Sequence, residues 1–210
     1  MKPLVMIGGG RASLPRIIIE AVEAQGREFK GFLNVGDTPE PLLHARPLLG
    51  DDRLLDDPDF LAAHDVVVAV LGPHRRPICE SLLARNASLP AIVHPGASIS
   101  ATATVGAGTV ISAGAVVQQD ARVGRFCLLN TSCSIDHDNV VGDFVSVASG
   151  AHTAGHVTIE DDAFIGLGSL IVNRVTVGAR ATVGAGAVVL RDVAAGVTVV
   201  GNPAKPLSRG

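Results

Sequence analysis

The stretch "ISATATVGAGTVISAGAVVQQDARVGRFCLLNTSCSIDHDNVVGD", residues 99–143, decides the fold. Every sixth residue is aliphatic: Ile99, Val105, Ile111, Val117, Val123, Leu129, Ile135 and Val141. The series runs on through Val147, is interrupted once at Thr153, and resumes at Ile159, Ile165, Ile171, Val177, Val183 and Val189. That makes sixteen consecutive hexads with no insertion and one polar entry. The fifth position of each hexad is usually small, as at Ala115, Ala121, Cys127, Cys133 and Ala151, and its one amide is Asn139. A fixed short period signals a solenoid, and a six-residue period signals a parallel β-helix. Three hexads close one triangular coil. Residues 18 apart then stack at the strand spacing of about 4.8 Å.

The hexad rule assigns directions. First and fifth positions point inward, so Cys127 and Cys133 are expected as reduced interior fillers. His137 and Asp138, at the third and fourth positions, face out at a corner. Steps of 18 give two outward columns, Gln119–His137–Gly155–Asn173 and Asp120–Asp138–His156–Arg174. An imidazole beside a carboxylate is a candidate general base, and a glycine N–H one coil away is a candidate oxyanion donor. The plain alternative is a polar exposed turn. A zinc site drawn from His137, His152 and His156 is a third reading, weakened because His152 stands elsewhere on its coil and zinc needs three or four convergent ligands.

Residues 1–90 follow a different grammar, alternating β and α. "KPLVMIGGG" reads as a buried strand running into glycines. "LPRIIIEAVEAQG" reads as a helix with Ser13 as a candidate N-cap, Pro15 in the first turn and Gly26 as its stop. "REFKGFLN" and "DVVVAVLG" are further strands, the second followed by a helix from about Pro73 to Arg85. The pattern predicts a small Rossmann-like unit with a parallel sheet. The glycines after the first strand either cradle a phosphate or merely form a tight turn.

Composition narrows the function classes. The chain has 210 residues with a net charge of −3, and it contains no Lys/Arg-rich run, which argues against nucleic acid and anionic membrane as partners. No secretory-type leader or 18-residue apolar span appears, which predicts a cytoplasmic protein without membrane insertion. Hydrophobic residues make up 47%, yet there is no Trp or Tyr and only six Phe beside 24 Gly. Such a core is built in thin layers of small and β-branched side chains.

The hexads, the segment "LLNTSCSIDHDNVVGDFVSVASGAHTAGHVTIEDDAFIGLGSLI" and the ending "VVGNPAK" resemble sugar O- and N-acetyltransferases of the left-handed β-helix superfamily. The nearest group carries an N-terminal Rossmann-like nucleotide-sugar domain and includes bacillosamine-pathway and perosamine N-acetyltransferases and the sialic acid O-acetyltransferase relatives. The resemblance implies an α/β domain over 1–90 and an all-β left-handed parallel β-helix over 91–210 with a C-terminal tail. The left hand comes from the resemblance, because isolated parallel crossovers run right-handed. It further implies a homotrimer with acetyl-CoA in the groove between neighbouring β-helices, and no metal.

The family's catalytic histidine falls on His137, and the acid that orients it falls on Asp138. The backbone amide toward the acetyl carbonyl falls on Gly155, and the asparagine near the sugar on Asn130. Acetyl-CoA contacts fall on Ser146, Gly155, Leu167 and Ala185; bacillosamine-pathway members have a histidine at the first of these. At His156 relatives often carry Asn. Nucleotide contacts fall on Gly8, Gly10, Arg11, Ala12, Asn34, Gly72 and Arg75. There "GGGRAS" replaces the relatives' G-x-x-G-H, "LNVGD" retains Asn34 with Asp37 beyond it, and "GPHRR" replaces their "GDN" or "GNN". Arg11 and Arg75 are candidates to hold a diphosphate. The expected activity is acetyl-CoA-dependent N-acetylation of a nucleotide-linked amino sugar for surface glycan synthesis. The alternatives are O-acetylation by the same fold, a non-catalytic nucleotide-sugar-binding scaffold, and a zinc hydratase.

Overall fold

The computed structural model describes residues 1–8, 13–34, 46–72 and 74–207. The chain divides into two compact units, Met1–His94 and Pro95–Gly210.

The first unit is built on a four-stranded parallel sheet. Its elements are β1 (Leu4–Ile7), α1 (Ser13–Ala24), β2 (Phe29–Asn34), β3 (Leu48–Asp51), α2 (Pro58–Ala63), β4 (Asp65–Val68) and α3 (Arg75–Ala84). The strand order is β3-β2-β1-β4, every pair parallel. β1 and β4 are buried along their whole length, as continuous apolar runs in a covered parallel sheet should be. Gly26 stops α1 in a Schellman turn: its φ is +64°, its N–H donates to Glu23 O (2.9 Å), and Arg27 N–H donates to Val22 O (3.1 Å). Beneath the sheet, the Arg27 guanidinium is paired with the Asp65 carboxylate, which also accepts from the Ser88 hydroxyl. This ties the end of α1 to the start of β4.

Several sequence expectations shift here. Ser13 is the first residue of α1 rather than its cap. The strand starting at Asp65 ends at Val68, not Gly72, and its helix spans Arg75–Ala84, with Pro73 outside the described residues. β3, the 3-10 turn Asp52–Asp56 and α2 were not anticipated. β3 is a short edge strand, with Leu48 and no second apolar face to set up an alternating pattern.

The second unit is a parallel β-helix. Its coil consists of two-residue strands separated by four-residue corners, and successive coils pair at a spacing of 18, as in Arg122↔Val140, Leu128↔Ser146 and Ser134↔Val116. Three sheets result. One face carries Leu128–Leu129, Ser146–Val147, Phe164–Ile165 and Thr182–Val183. The next carries Ser134–Ile135, His152–Thr153 and Leu170–Ile171, and the third Arg122–Val123, Val140–Val141 and Thr158–Ile159. The final coil is shorter: Thr182 pairs with Thr198, and Lys205–Pro206 returns antiparallel.

The interior contains the first and fifth hexad positions, from Ile111 to Val193. Each buried aliphatic side chain contributes about 1.5–3 kcal/mol relative to exposure. A single coil buries few, so stability comes from stacking. Ile99, Ala103 and Val105 are only half-buried, because the first coil has a neighbour on one side of its sheets. Cys127 and Cys133 are reduced and fully buried, as expected, and burial pushes the Cys133 thiol up to about 12.

From Gly108 to Gly186 the fourth hexad position is left-handed: φ is 58° at Asp120, 56° at Ser132, 58° at Asp138, 60° at His156 and 63° at Arg174. This conformation costs an L-residue about 1–2 kcal/mol, least for Asp and Asn. It recurs around the coil, so at Asp138 it is a property of the turn and not strain reserved for a site.

Candidate active site

His137 and Asp138 stand on the corner that follows Ser134–Ile135, and Gly155 and His156 stand on the same corner one coil on. The coils are laced together there. Asp138 N–H donates to Gln119 O (3.0 Å), His156 N–H to His137 O (3.1 Å) and Arg174 N–H to Gly155 O (3.2 Å). The columns counted from sequence are therefore real neighbours.

The left-handed turn at Asp138 brings its carboxylate back onto the preceding side chain, and His137 Nδ1 lies 2.7 Å from Asp138 Oδ2. A carboxylate only accepts, so Nδ1 carries the hydrogen and Nε2 presents a lone pair. The Asp136 carboxylate accepts the backbone N–H of His137 at 2.7 Å and so helps set the corner. His156 closes the other side: its ring meets the His137 ring edge-on at 5.2 Å, and its Nε2 lies 3.8 Å from Asp138 Oδ2. The side chains of His137, Asp138 and His156 are 48%, 44% and 49% exposed, so reagents can reach them.

Gly155 has a steric role that counting alone does not show. A Cβ there would lie 2.5 Å from both Cε1 and Nε2 of His137, closer than any side-chain contact allows. The imidazole rests on the glycine backbone. The Gly155 N–H has no acceptor among the described residues.

The hydrogen bond to Asp138 holds the His137 pKa above its ordinary value of 6.5, and the negative charge of Asp136 adds to it. Asp138 is correspondingly held below 3.8, chiefly by the hydrogen bond from His137 and then by the charges of His156, His137 and Arg122. A base must be neutral to accept a proton, so a reaction that uses His137 as its base is expected to rise with pH through the raised His137 pKa. Asp138→Asn removes the charge that raises it. The acid limb of the kcat/KM–pH profile is expected to move to lower pH, and the plateau to fall about 10²-fold as the tautomer is no longer held. An unmoved acid limb would show that another group titrates.

The remaining sequence candidates do not gather here within one chain. Asn130, Leu167 and Ala185 lie on the preceding corner, between the Ser146 face and the His152 face, and Ser146 lies on the sheet before it. In the first unit, Gly8, Asn34 and Gly72 lie at or just beyond the carboxyl ends of three adjacent strands, where open parallel sheets bind ligands. Gly8 has φ +85°, and a Cβ on it would meet Val70 Cγ2 at 2.9 Å, so only glycine fits. Arg75 is buried at the first turn of α3. Gly10, Arg11, Ala12 and Asp37 lie outside the described residues.

Among the described residues, the ligand atoms of His137, Asp138 and His156 fall within 4.8 Å of one another, a spacing at which a metal ion could be held. Nδ1 of His137 is already engaged by Asp138, and within one chain His152 does not join the group. His152 stands on the neighbouring sheet face with its Nδ1 2.8 Å from Ser134 Oγ. Sequence reasoning assigned no role to Thr153, the one polar residue of the first row, or to Asn139, the one amide of the fifth. Both are buried and meet directly under the His137 corner, with Asn139 Nδ2 2.5 Å from Thr153 Oγ1. No described helix is long and apolar enough to cross a membrane.

No protein-family model and no curated protein matches the chain. Solved structures do. The acetyltransferase domain of PglB from Neisseria gonorrhoeae is 34% identical over 99% of this chain and 100% of that one, with a TM-score of 0.88, and it has also been solved with acetyl coenzyme A. PerB from Caulobacter crescentus, in complex with CoA and GDP-perosamine, is 29% identical over 99% of this chain and 98% of that one, with a TM-score of 0.88. WeeI from Acinetobacter baumannii is 28% identical over 99% of this chain and 100% of that one, with a TM-score of 0.83. An end-to-end likeness at this identity, together with a hexad coil and a carboxylate-held histidine on its corner, establishes kinship: the chain belongs to the hexapeptide-repeat sugar acetyltransferases.

Proposed function

We propose that this protein transfers the acetyl group of acetyl-CoA to the amine of a nucleotide-linked amino sugar, with His137 as general base. The observation that carries the reading is the His137 imidazole, held through Nδ1 by Asp138 and seated on Gly155. The likeness to PerB, which was solved with CoA and GDP-perosamine, supports the substrate class.

In this reaction the sugar amine attacks the thioester carbonyl carbon. The N–C bond forms, the amine proton passes to His137 Nε2, and the carbonyl oxygen becomes an oxyanion facing the Gly155 N–H. When the tetrahedral intermediate collapses the C–S bond breaks, and the CoA thiolate leaves and takes up the proton. Asp138 stabilises the imidazolium in between. Proximity and base catalysis suffice for an amine and a thioester, so no acyl-enzyme is required.

The first unit is, in this reading, a Rossmann-like nucleotide-sugar domain. Its strand order β3-β2-β1-β4 and the position of Gly8, Asn34 and Gly72 beyond the strand ends support this. Arg11 and Arg75 would hold the diphosphate, with Gly10 and Ala12 in the same loop. The coil is left-handed, as in the family the sequence resembles, and the protein works as a cytoplasmic homotrimer. The separation of the candidates supports the trimer. Asn130, Leu167 and Ala185 stand on one edge of the coil and His137 and Gly155 on the next, so a second subunit is needed to bring the sugar and CoA contacts, Ser146 included, against the base.

The test is a thermal-shift screen of UDP-, GDP- and dTDP-linked sugars and acyl-CoAs, followed by acetyl transfer to matched amino- and hydroxy-sugars. Stabilisation by acetyl-CoA and one nucleotide-sugar class, with transfer to the amino sugar only, is the expected result. Transfer to the hydroxy-sugar alone would replace the reading with O-acetylation. Absence of CoA binding and of transfer would leave a binding scaffold.

A further inference from the structure

The β-helix ladder is incomplete at one place beside His137. On this face Ser134 and Ile135 both pair with the coil before, and His152 and Thr153 both pair with the coil after. Between the two middle strands only Ser134↔His152 is formed. In the neighbouring coils the first corner N–H donates to a backbone carbonyl 17 residues on: Gln118 to Ile135 O (2.9 Å) and Ala154 to Ile171 O (2.9 Å). The corresponding N–H, that of Asp136, instead donates to a side chain, Thr153 Oγ1, at 3.1 Å.

The replacement is a closed network. Thr153 Oγ1 accepts from Asp136 N–H and from Asn139 Nδ2 (2.5 Å), and its own hydrogen is directed at Ser134 O (3.2 Å). Asn139 Oδ1 accepts the Val157 N–H at 2.7 Å. The four residues of the corner, Asp136 to Asn139, are thus held at both ends by two side chains from inside the prism. Those side chains are the single polar entry in the first row and the single amide in the fifth row. In the same rows the adjacent coils carry Ile135 and Ile171, and Ala121 and Val157. Buried hydroxyls elsewhere in the fifth row, Thr109 and Ser169, are also hydrogen-bonded, and Thr109 likewise accepts the N–H of the next coil's fifth residue, Cys127; what is particular to Thr153 and Asn139 is that they bond to each other and take the place of a ladder bond at the His137 corner. The pair sets the spacing and tilt of the corner whose imidazole must fit onto Gly155.

We propose that Thr153 and Asn139 are positioning residues for the transfer reaction: they hold the 136–139 corner off the regular ladder, so that the His137 ring lies over Gly155 with Nε2 directed at the acceptor amine. The proposal rests on the reading of His137 as the base. Neither residue touches substrate; both act through the corner backbone.

The test uses the full chain with Thr153→Val, which is isosteric and returns the first row to unbroken aliphatics, beside Thr153→Ser, Asn139→Ala and the double variant. Misplacement of a reacting group by about 1 Å costs up to about 10²-fold in rate. The expected result for Thr153→Val is a fall of about 10- to 100-fold in kcat with the KM for acetyl-CoA unchanged. Thr153→Ser should recover most of that loss, because the hydroxyl alone makes the network. The double variant should be no worse than the poorer single one, since both break one network. A folded Thr153→Val enzyme with wild-type kcat, measured alongside an inactive His137→Ala, overturns the proposal and leaves the base assignment standing. An active His137→Ala removes the base assignment itself. If Thr153→Val does not fold, the kcat of Asn139→Ala decides; loss of fold in both variants also overturns the proposal, because the pair would then serve stability alone.

Discussion

His137→Ala is expected to lower kcat/KM by about 10²–10⁴-fold, the usual contribution of a positioned general base. The side chain is half-exposed, and its hydrogen bonds and ring contact are confined to the corner, so the coil should survive its removal. Thermal stability and acetyl-CoA binding are therefore expected to stay close to wild type while turnover collapses. That combination distinguishes loss of chemistry from loss of structure. A variant that keeps near-wild-type turnover would remove His137 from the mechanism, and His156, 3.8 Å from the same carboxylate, would be the next group to test.

Gly155→Ala is expected to cost nearly as much, about 10²-fold in kcat, through one methyl group. The φ of Gly155 lies outside the left-handed region, so the backbone there tolerates alanine. The space does not. The new Cβ would lie 2.5 Å from Cε1 and Nε2 of His137, and the ring would have to leave its seat and its bond to Asp138. The Gly155 N–H would remain, so the variant separates seating of the base from stabilisation of the oxyanion. Kinetics with melting curves check it: a well-folded, slow enzyme is expected, and adding His137→Ala should reduce the rate little further. Full activity in Gly155→Ala would show that the ring does not use this seat during turnover.

The His137 corner was readable in unusual detail because the coil has constant length. Once the hexad phase is known, every stacking neighbour is a step of 18, and the sequence alone therefore puts Gly155 beside His137 and His156 beside Asp138. The same arithmetic turned Cys133 inward and removed an apparent Cys–His–Asp cluster. It failed wherever the period fails. β3 lies in a stretch too short to show alternation, and the loop after β1 departs from the pattern of relatives, with Arg11 where they carry another residue. The structure adds least there, since Gly10, Arg11 and Ala12 lie outside the described residues.

The sequence by itself determined the solenoid, the inward and outward rows, and the company that His137 keeps, because periodicity converts directly into register when each coil repeats the last. Only the tertiary structure decided how those neighbours use one another. The Nδ1 bond to Asp138, the imidazole resting on a missing Cβ, and the replacement of a ladder bond by Thr153 and Asn139 depend on side-chain rotamers and distances of a few tenths of an ångström between coils. Such distances follow from packing against both adjacent coils at once, which no linear spacing encodes.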